Sequence, residues 1–241
     1  MPEATLTGET RARLLRVSTA TLTTVLFKRG LRNTFIQGVA PLNPQARMVG
    51  VAFTLRNIPS REDLDHFGVF DNPDHPQRRA IETIPPGHVL VIDSRQDRRA
   101  GTAGGILVTR LMVRGAAGIV TDGGLRDSPD IARMEFPAYA ASAAAPANIT
   151  HHHAVDFNVP IGCGGVPVYP GDILVGDGEG VVVIPADLAE GVAQEAVAMT
   201  GYEDWAEAQV RAGRALPGLY PASEASRAEY AAWAERQPKI R

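Results

Sequence analysis

Residues Gly101–Asp130, GTAGGILVTRLMVRGAAGIVTDGGLRDSPD, constrain the fold more than any other stretch. They read as a glycine-rich opening, a helix over Gly104–Arg114, a buried strand over Gly118–Thr121, and a turn, Asp122–Asp127, that sets Arg126 beside Asp127. With the apolar run His88–Asp93 before it, the segment spells strand–helix–strand, so the chain has to form α/β layers around buried strands. A helix opened by Gly104 and Gly105 has N–H groups without intrahelical partners at its positive dipole end, and glycine lets a ligand approach them closely. Ligands of open α/β sheets sit outside the carboxyl ends of the strands, where this turn falls. Arginine grips a carboxylate bidentately, and aspartate is a hard ligand suited to Mg²⁺ or Mn²⁺. On spacing alone, an ordinary turn with a surface ion pair fits the segment equally well.

The rest of the composition narrows the class. At 241 residues the chain can bury a large core. A net charge of −3 supplies no basic field for nucleic acid. One cysteine, Cys163, cannot close an intrachain disulfide. The first residues, MPEATLTGETRARLL, lack the apolar core of a secretory signal, and no run has the length of a membrane span. The expectation is a cytoplasmic protein without nucleic-acid or membrane partners. Aromatics make up only 6% while Ala, Gly and Val abound, which favours closely packed layers.

Apolar spacing predicts a helix over Leu6–Arg29, a strand over Met48–Leu55, and a short helix capped by Ser60 that runs through Phe67. Asn72–Arg79 reads as a polar loop. Val159–Ile161, Val166–Tyr169, Ile173–Val175 and Val181–Ile184 read as an antiparallel meander, and Asp187–Thr200 as a helix with Asp187 and Glu190 at capping-box spacing. The tail from Gly201 reads as helical pieces broken at Pro217 and Pro221, long enough to embrace a neighbouring subunit.

Other polar clusters read as structure. His151–His153 point alternately in extended chain and lack a completing ligand set, so they read as a polar loop or subunit contact. Asp65, His66, Asp71, Asp74 and His75 form an acid- and His-rich loop that could lie over the site as a lid, although they read better as a solvated loop. Gly176–Gly180 reads as a hairpin turn and Cys163 as an inert thiol. Of Arg95, Arg98 and Arg99, one could hold a second acidic group of a ligand, although together they read as a solvated, ion-paired loop.

Gly105, Arg126, Asp127 and Asp130 stand at the spacing Gly, twenty residues, Arg-Asp, two residues, Asp, and the block FNVPIGCGGVPVYPGDILVGDGEGVVVIP follows in order. This pair of blocks resembles the RraA-like/4-hydroxy-4-methyl-2-oxoglutarate aldolase family across roughly Leu14–Thr200. The resemblance implies a layered swivelling-type β/β/α domain over 1–200, assembled as homotrimers or hexamers with active sites between subunits, and a C-terminal helical arm over 201–241 that packs on a neighbour. It implies that Arg126 binds a substrate carboxylate, that Asp127 holds Mg²⁺ or Mn²⁺ with Asp130 orienting its waters, and that the backbone of Gly104, Gly105, Ile106 and Leu107 cradles a 2-keto acid. A glutamate from the neighbour's C-terminal region completes the family site; Glu203 is the first candidate and Glu195 the second.

The implied chemistry is class II pyruvate aldol cleavage or oxaloacetate decarboxylation. No Schiff base is needed, and Lys28 and Lys239 are the only lysines. Gly105 departs from the family aldolases, which carry there an acid linked with proton transfer. The alternative that the resemblance implies is a regulator that inhibits an RNA-degrading endonuclease by contact. Such regulators tend to lack the aspartate that this chain keeps as Asp127.

Overall fold

The computed structural model describes residues 6–237; residues 1–5 and 238–241, the ends of the expected domain and arm, lie outside them. Where one long helix was expected there are two, α1 (Gly8–Leu14) and α2 (Thr19–Lys28). The break falls at Ser18, which is extended and caps α2 by accepting the Thr21 N–H. Next come β1 (Ala40–Pro41), β2 (Met48–Pro59), α3 (Pro76–Thr83), β3 (His88–Asp93), β4 (Gly101–Ala103), α4 (Gly105–Val113), β5 (Gly118–Leu125), α5 (Ser128–Ile131) and β6 (Ala138–Ala143). The chain continues through β7 (His152–Phe157), β8 (Ile161–Cys163), β9 (Val166–Val168), β10 (Ile173–Gly176), β11 (Val181–Ile184), α6 (Ala189–Arg211) and α7 (Glu224–Ala234).

The main sheet runs β1-β6-β5-β3-β2-β10-β11, with β4 paired to β5 and β7 paired to β2. Strands β6, β5, β3 and β2 are parallel, as the strand–helix–strand pattern requires. Alternation along β3 shows the layering. Leu90 and Ile92 join the core beneath α3 and α4, whereas Val89 and Val91 face the β8–β9 ribbon. A third core packs α1, α2 and α6 against β10 and β11. Ribbon, sheet and helices thus form the layered α/β fold expected, with helices at the C-terminal end.

Several local expectations need correction. Instead of a helix from Ser60, the chain makes tight turns closed by Asp65, followed by a 3₁₀ turn over Phe67–Asp71. The expected loop 72–79 contains the start of α3, whose first turn carries Pro76, the residue whose fixed φ suits a helix start. His152 and His153 belong to β7. The meander is divided: β10 and β11 form a hairpin in the main sheet, whereas β8 and β9 form a separate ribbon. The last long helix runs beyond Thr200 to Arg211, and its N-cap is Leu188, with no side-chain cap from Asp187. Across the tail, Tyr202, Trp205, Leu219 and Tyr230 pack together and seat α7 on α6.

Candidate functional site

Strand β5 runs four residues further than expected, to Leu125, and this extension positions the site. Its glycines permit the burial. A β-carbon on Gly124 would stand 2.4 Å from that of Ala144, and one on Gly123 would stand 2.6 Å from that of Ser94. Asp122 therefore faces the interior and accepts the N–H groups of Ser94, Gln96 and Gly164 at 2.7–3.2 Å. Its carboxylate is structural.

Arg126 follows, anchored by its N–H to the Ala103 carbonyl at 2.9 Å. Asp127 then adopts φ 56° and ψ 29°, a left-handed conformation that Asp and Asn tolerate better than most side chains. That kink brings its carboxylate to the start of α4, where Oδ2 accepts the Gly105 N–H at 2.9 Å. The next two N–H groups, of Ile106 and Leu107, have no partner one turn back and face outward from the positive end of the helix. Gly101 and Gly104 make room for the pair. A β-carbon on Gly101 would collide with the Arg126 side chain, and one on Gly104 would stand 2.9 Å from Asp127 Oδ2.

Arg126 and Asp127 open into a cleft of about 390 Å³. Gly104, Ile106 and Leu107 line it together with Ala147 and Asn148, with Phe67 and Phe70 from the segment between β2 and α3, and with Gln77 and Arg78 from the first turn of α3. Three other arginines are matched, Arg110 with Glu82, Arg99 with Asp97, and Arg133 with Asp130, whereas Arg78, which lines the same cleft, has no carboxylate partner among the described residues. The Arg126 guanidinium likewise has no carboxylate partner among the described residues.

The predicted residues are only partly brought together. Gly104, Gly105, Ile106, Leu107, Arg126 and Asp127 converge. Asp130 is exposed and paired with Arg133. Glu203 accepts a hydrogen bond from Thr21 Oγ1 at 3.3 Å, and Glu195 takes Arg29 at 3.1 Å; neither lines the cleft of its own chain. Arg95 donates to the His151 carbonyl at 2.7 Å, and Arg99 holds the Asp97 carboxyl well below the usual carboxylate range. Neither these two nor Arg98 reaches the cleft. The residues that sequence reasoning missed are Phe67, Phe70, Gln77 and Arg78. Pro76 was the available signal, because a proline at a helix start would have placed Gln77 and Arg78 in the first turn of a helix.

The polar segment 60–75 is not a freely solvated loop. Asp65 is sequestered, accepting the Arg61 N–H at 2.8 Å and lying 2.8 Å from His153 Nδ1. Burial and the nearby Arg78 draw the His75 pKa below its ordinary value. Cys163 is buried, and burial pushes its thiol pKa well up.

The donor set bears on metal binding. Among the described residues no three His, Cys, Asp or Glu side chains gather as a protein-only cage would require. Asp127 does fit a hard dication held by one carboxylate, with substrate oxygens and waters completing the shell, because Oδ2 alone is engaged by backbone.

Residues 19–183 match the RraA-like family, described as Aldolase/RraA. A protein of Halalkalibacterium halodurans provisionally named 4-hydroxy-4-methyl-2-oxoglutarate aldolase is 34% identical over 158 residues, covering 66% of this chain and 69% of that one. The crystal structure of Streptomyces coelicolor RraAS2, described as an unusual member of the RNase ES inhibitor RraA protein family, superposes with a TM-score of 0.73 at 30% identity, over 83% of this chain and 96% of that one. An uncharacterised Pseudomonas syringae protein shares the fold, with a TM-score of 0.81 at 23% identity over 92% and 98% of the two chains. The chain, with Arg126 and Asp127 within the matched span, belongs to the RraA-like family.

Proposed function

We propose that this chain is a divalent-metal-dependent carbon–carbon lyase that cleaves a small 2-keto acid, as a pyruvate-releasing aldolase, an oxaloacetate decarboxylase, or both. The observation that carries this reading is the Arg126 guanidinium, unmatched by any carboxylate among the described residues, next to Asp127 at the start of α4. Arg126 holds the substrate carboxylate by a bidentate pair. The N–H groups of Ile106 and Leu107 face the keto-acid end, where negative charge develops as the bond breaks. Asp127 would hold Mg²⁺ or Mn²⁺, with Asp130 released from Arg133 to orient its waters, and the ion would supply Lewis-acid stabilisation of that charge. Gly105 offers no acid, so proton transfer falls to another group. We assign it to Glu203 of a neighbouring subunit in a homotrimer or hexamer, with the C-terminal arm over 201–241 packed on that neighbour and the assembly held in the cytoplasm.

Purified protein with Mg²⁺ or Mn²⁺ is expected to release pyruvate from 4-hydroxy-2-keto acids or to decarboxylate oxaloacetate. Arg126→Ala is expected to abolish either activity with the fold intact. Equal turnover after chelation would overturn the metal dependence. The kinship to RraAS2 favours a second reading, a contact inhibitor of an RNA-degrading endonuclease, which a pull-down and cleavage assay with that nuclease would test.

A further inference from the structure

Asn148 is a polar side chain of the cleft to which the proposed reaction gives no task. It opens a 3₁₀ turn, Asn148–Thr150, between β6 and β7. The turn is fixed on both sides. Thr150 Oγ1 donates to the Ala147 carbonyl at 2.7 Å, Arg95 to the His151 carbonyl at 2.7 Å, and the Gly101 N–H to the Pro146 carbonyl at 3.0 Å. The last bond and the bridge from Gly101 to Ala147 tie the turn to β4, to which the Arg126 N–H is also anchored through Ala103. One strand thus supports both Asn148 and Arg126, and both line one cleft.

Asn148 is 8% exposed, yet its carboxamide takes no hydrogen bond among the described residues, and neither polar atom is sealed from the cleft. The Gln77 amide, by contrast, is committed to the Thr102 carbonyl, to which its Nε2 donates at 2.6 Å. An amide left unpartnered in a half-closed site carries a cost that a ligand offsets. Its chemistry says which ligand group. Being neutral, it adds nothing to charge matching, for which Arg78 and Arg126 are at hand. It sets an acceptor oxygen beside an NH₂ donor, and a hydroxyl, itself donor and acceptor, answers both.

We infer that Asn148 is a further catalytic residue of the aldol cleavage, holding the hydroxyl on the carbon that departs: Oδ1 accepts from it in the substrate, and Nδ2 donates to its oxygen as the carbonyl forms. In that step the O–H bond breaks and its proton passes to the proposed base, Glu203 of the neighbouring subunit. The freed pair makes the second C–O bond, and the pair of the breaking C–C bond passes to the pyruvate enolate. Asn148 neither gives nor takes a proton; it orients the hydroxyl and stabilises the charge that builds on its oxygen. Oxaloacetate has no such hydroxyl, so Asn148 separates the two activities of the site. The inference rests on the proposed 2-keto-acid site and adds a residue that only one of its reactions uses.

Kinetics of the full chain with Mg²⁺ test this with 4-hydroxy-2-oxopentanoate, which can be cleaved, and 2-oxopentanoate, an inhibitor of equal length without the hydroxyl. Asn148→Leu, similar in size and unable to hydrogen-bond, is expected to lower kcat/KM for pyruvate release about tenfold or more beyond any change in the inhibition constant of 2-oxopentanoate, the scale of one or two hydrogen bonds. Oxaloacetate decarboxylation should follow the inhibition constant, and Asn148→Ser should recover part of the loss. Arg126→Met should weaken pyruvate release, decarboxylation and inhibition together. If Asn148→Leu lowers pyruvate release no more than it weakens 2-oxopentanoate, the assignment is overturned while the keto-acid site stands. If the wild type releases no pyruvate, calorimetric titration of the two acids decides. Binding of the hydroxy acid about tenfold tighter, lost in Asn148→Leu, supports the contact and removes the aldolase reading alone; equal binding overturns the contact as well. Binding of neither acid overturns both.

Discussion

Gly104 and Asp127 are a steric pair: the missing β-carbon of the first is the space that the Oδ2 of the second requires, at 2.9 Å. Gly104 is extended, with φ −121° and ψ 179°, so its backbone suits alanine and any effect of Gly104→Ala comes from displacing the carboxylate. A β-carbon on Gly101 would meet the Arg126 side chain and also the Arg126 backbone N at 2.8 Å and the Ala144 carbonyl at 2.9 Å, so Gly101→Ala displaces backbone as well. Each alanine variant is expected to lower kcat/KM at least about a hundredfold, as small misplacements at a catalytic centre do. Circular dichroism and steady-state pyruvate release check this; near-normal turnover with a folded protein would refute the steric coupling.

Asp127 combines a left-handed backbone with a hydrogen bond to α4. Asparagine tolerates that backbone and keeps an acceptor for the Gly105 N–H, but loses the charge. Asp127→Asn should therefore keep the melting temperature within a few degrees of the wild type and abolish Mn²⁺ binding. Asp127→Ala loses both features and should cost roughly 1–3 kcal/mol of stability as well. Thermal melts alongside Mn²⁺ paramagnetic titration distinguish the two variants.

His152 is 1% exposed, and burial, aided by the Arg95 guanidinium, pushes its pKa down to about 4. Its folded pKa lies below the ordinary 6.5, so the unfolded chain binds the proton more readily. The stability that depends on the neutral ring is fully present above pH 6.5 and is lost as pH falls towards 4, on the order of 3 kcal/mol in all. His152→Gln should flatten the dependence of melting temperature on pH across that window. An unchanged slope would rule His152 out as its source.

Asp177 follows β10 at the hairpin turn and secures the start of α2. It accepts the Thr19 N–H at 2.8 Å, the Thr19 hydroxyl at 2.9 Å and the Glu179 N–H at 2.9 Å. Asp177→Ala strands buried donors and should destabilise by about 3 kcal/mol, a fall of about 10 °C in Tm for a chain of this size. Asp177→Asn, which retains acceptor oxygen, should lose less than half of that. Differential scanning fluorimetry measures both.

The strand–helix–strand segment was legible because its signals are local: an apolar run, a glycine pair, then an Arg-Asp step. Gly104, Ile106, Leu107, Arg126 and Asp127 accordingly line one cleft, with the Gly105 N–H bound to Asp127. The covering wall was illegible because it is built by tertiary contacts. Asp65 looks solvated in sequence and is sequestered by His153, some ninety positions away, through the β2–β7 pairing. Arg78 sits in a polar stretch, and the packing of α3 against β7, α4 and β2 brings it to the cleft that Arg126 lines. Asp122 and Asp127 lie in one turn by spacing, yet the extra pairing of β5 buries the first and presents the second.

The wall carrying Phe67, Phe70, Gln77 and Arg78 leaves from β2 and returns through α3 before β3, while β2 and β3 pair in parallel from Val51↔His88 to Arg56↔Asp93 irrespective of what lies between. Its 60–75 stretch contributes no buried apolar residue, so that stretch, unlike α3 itself, is free to vary in length and polarity while the ladder beneath it holds.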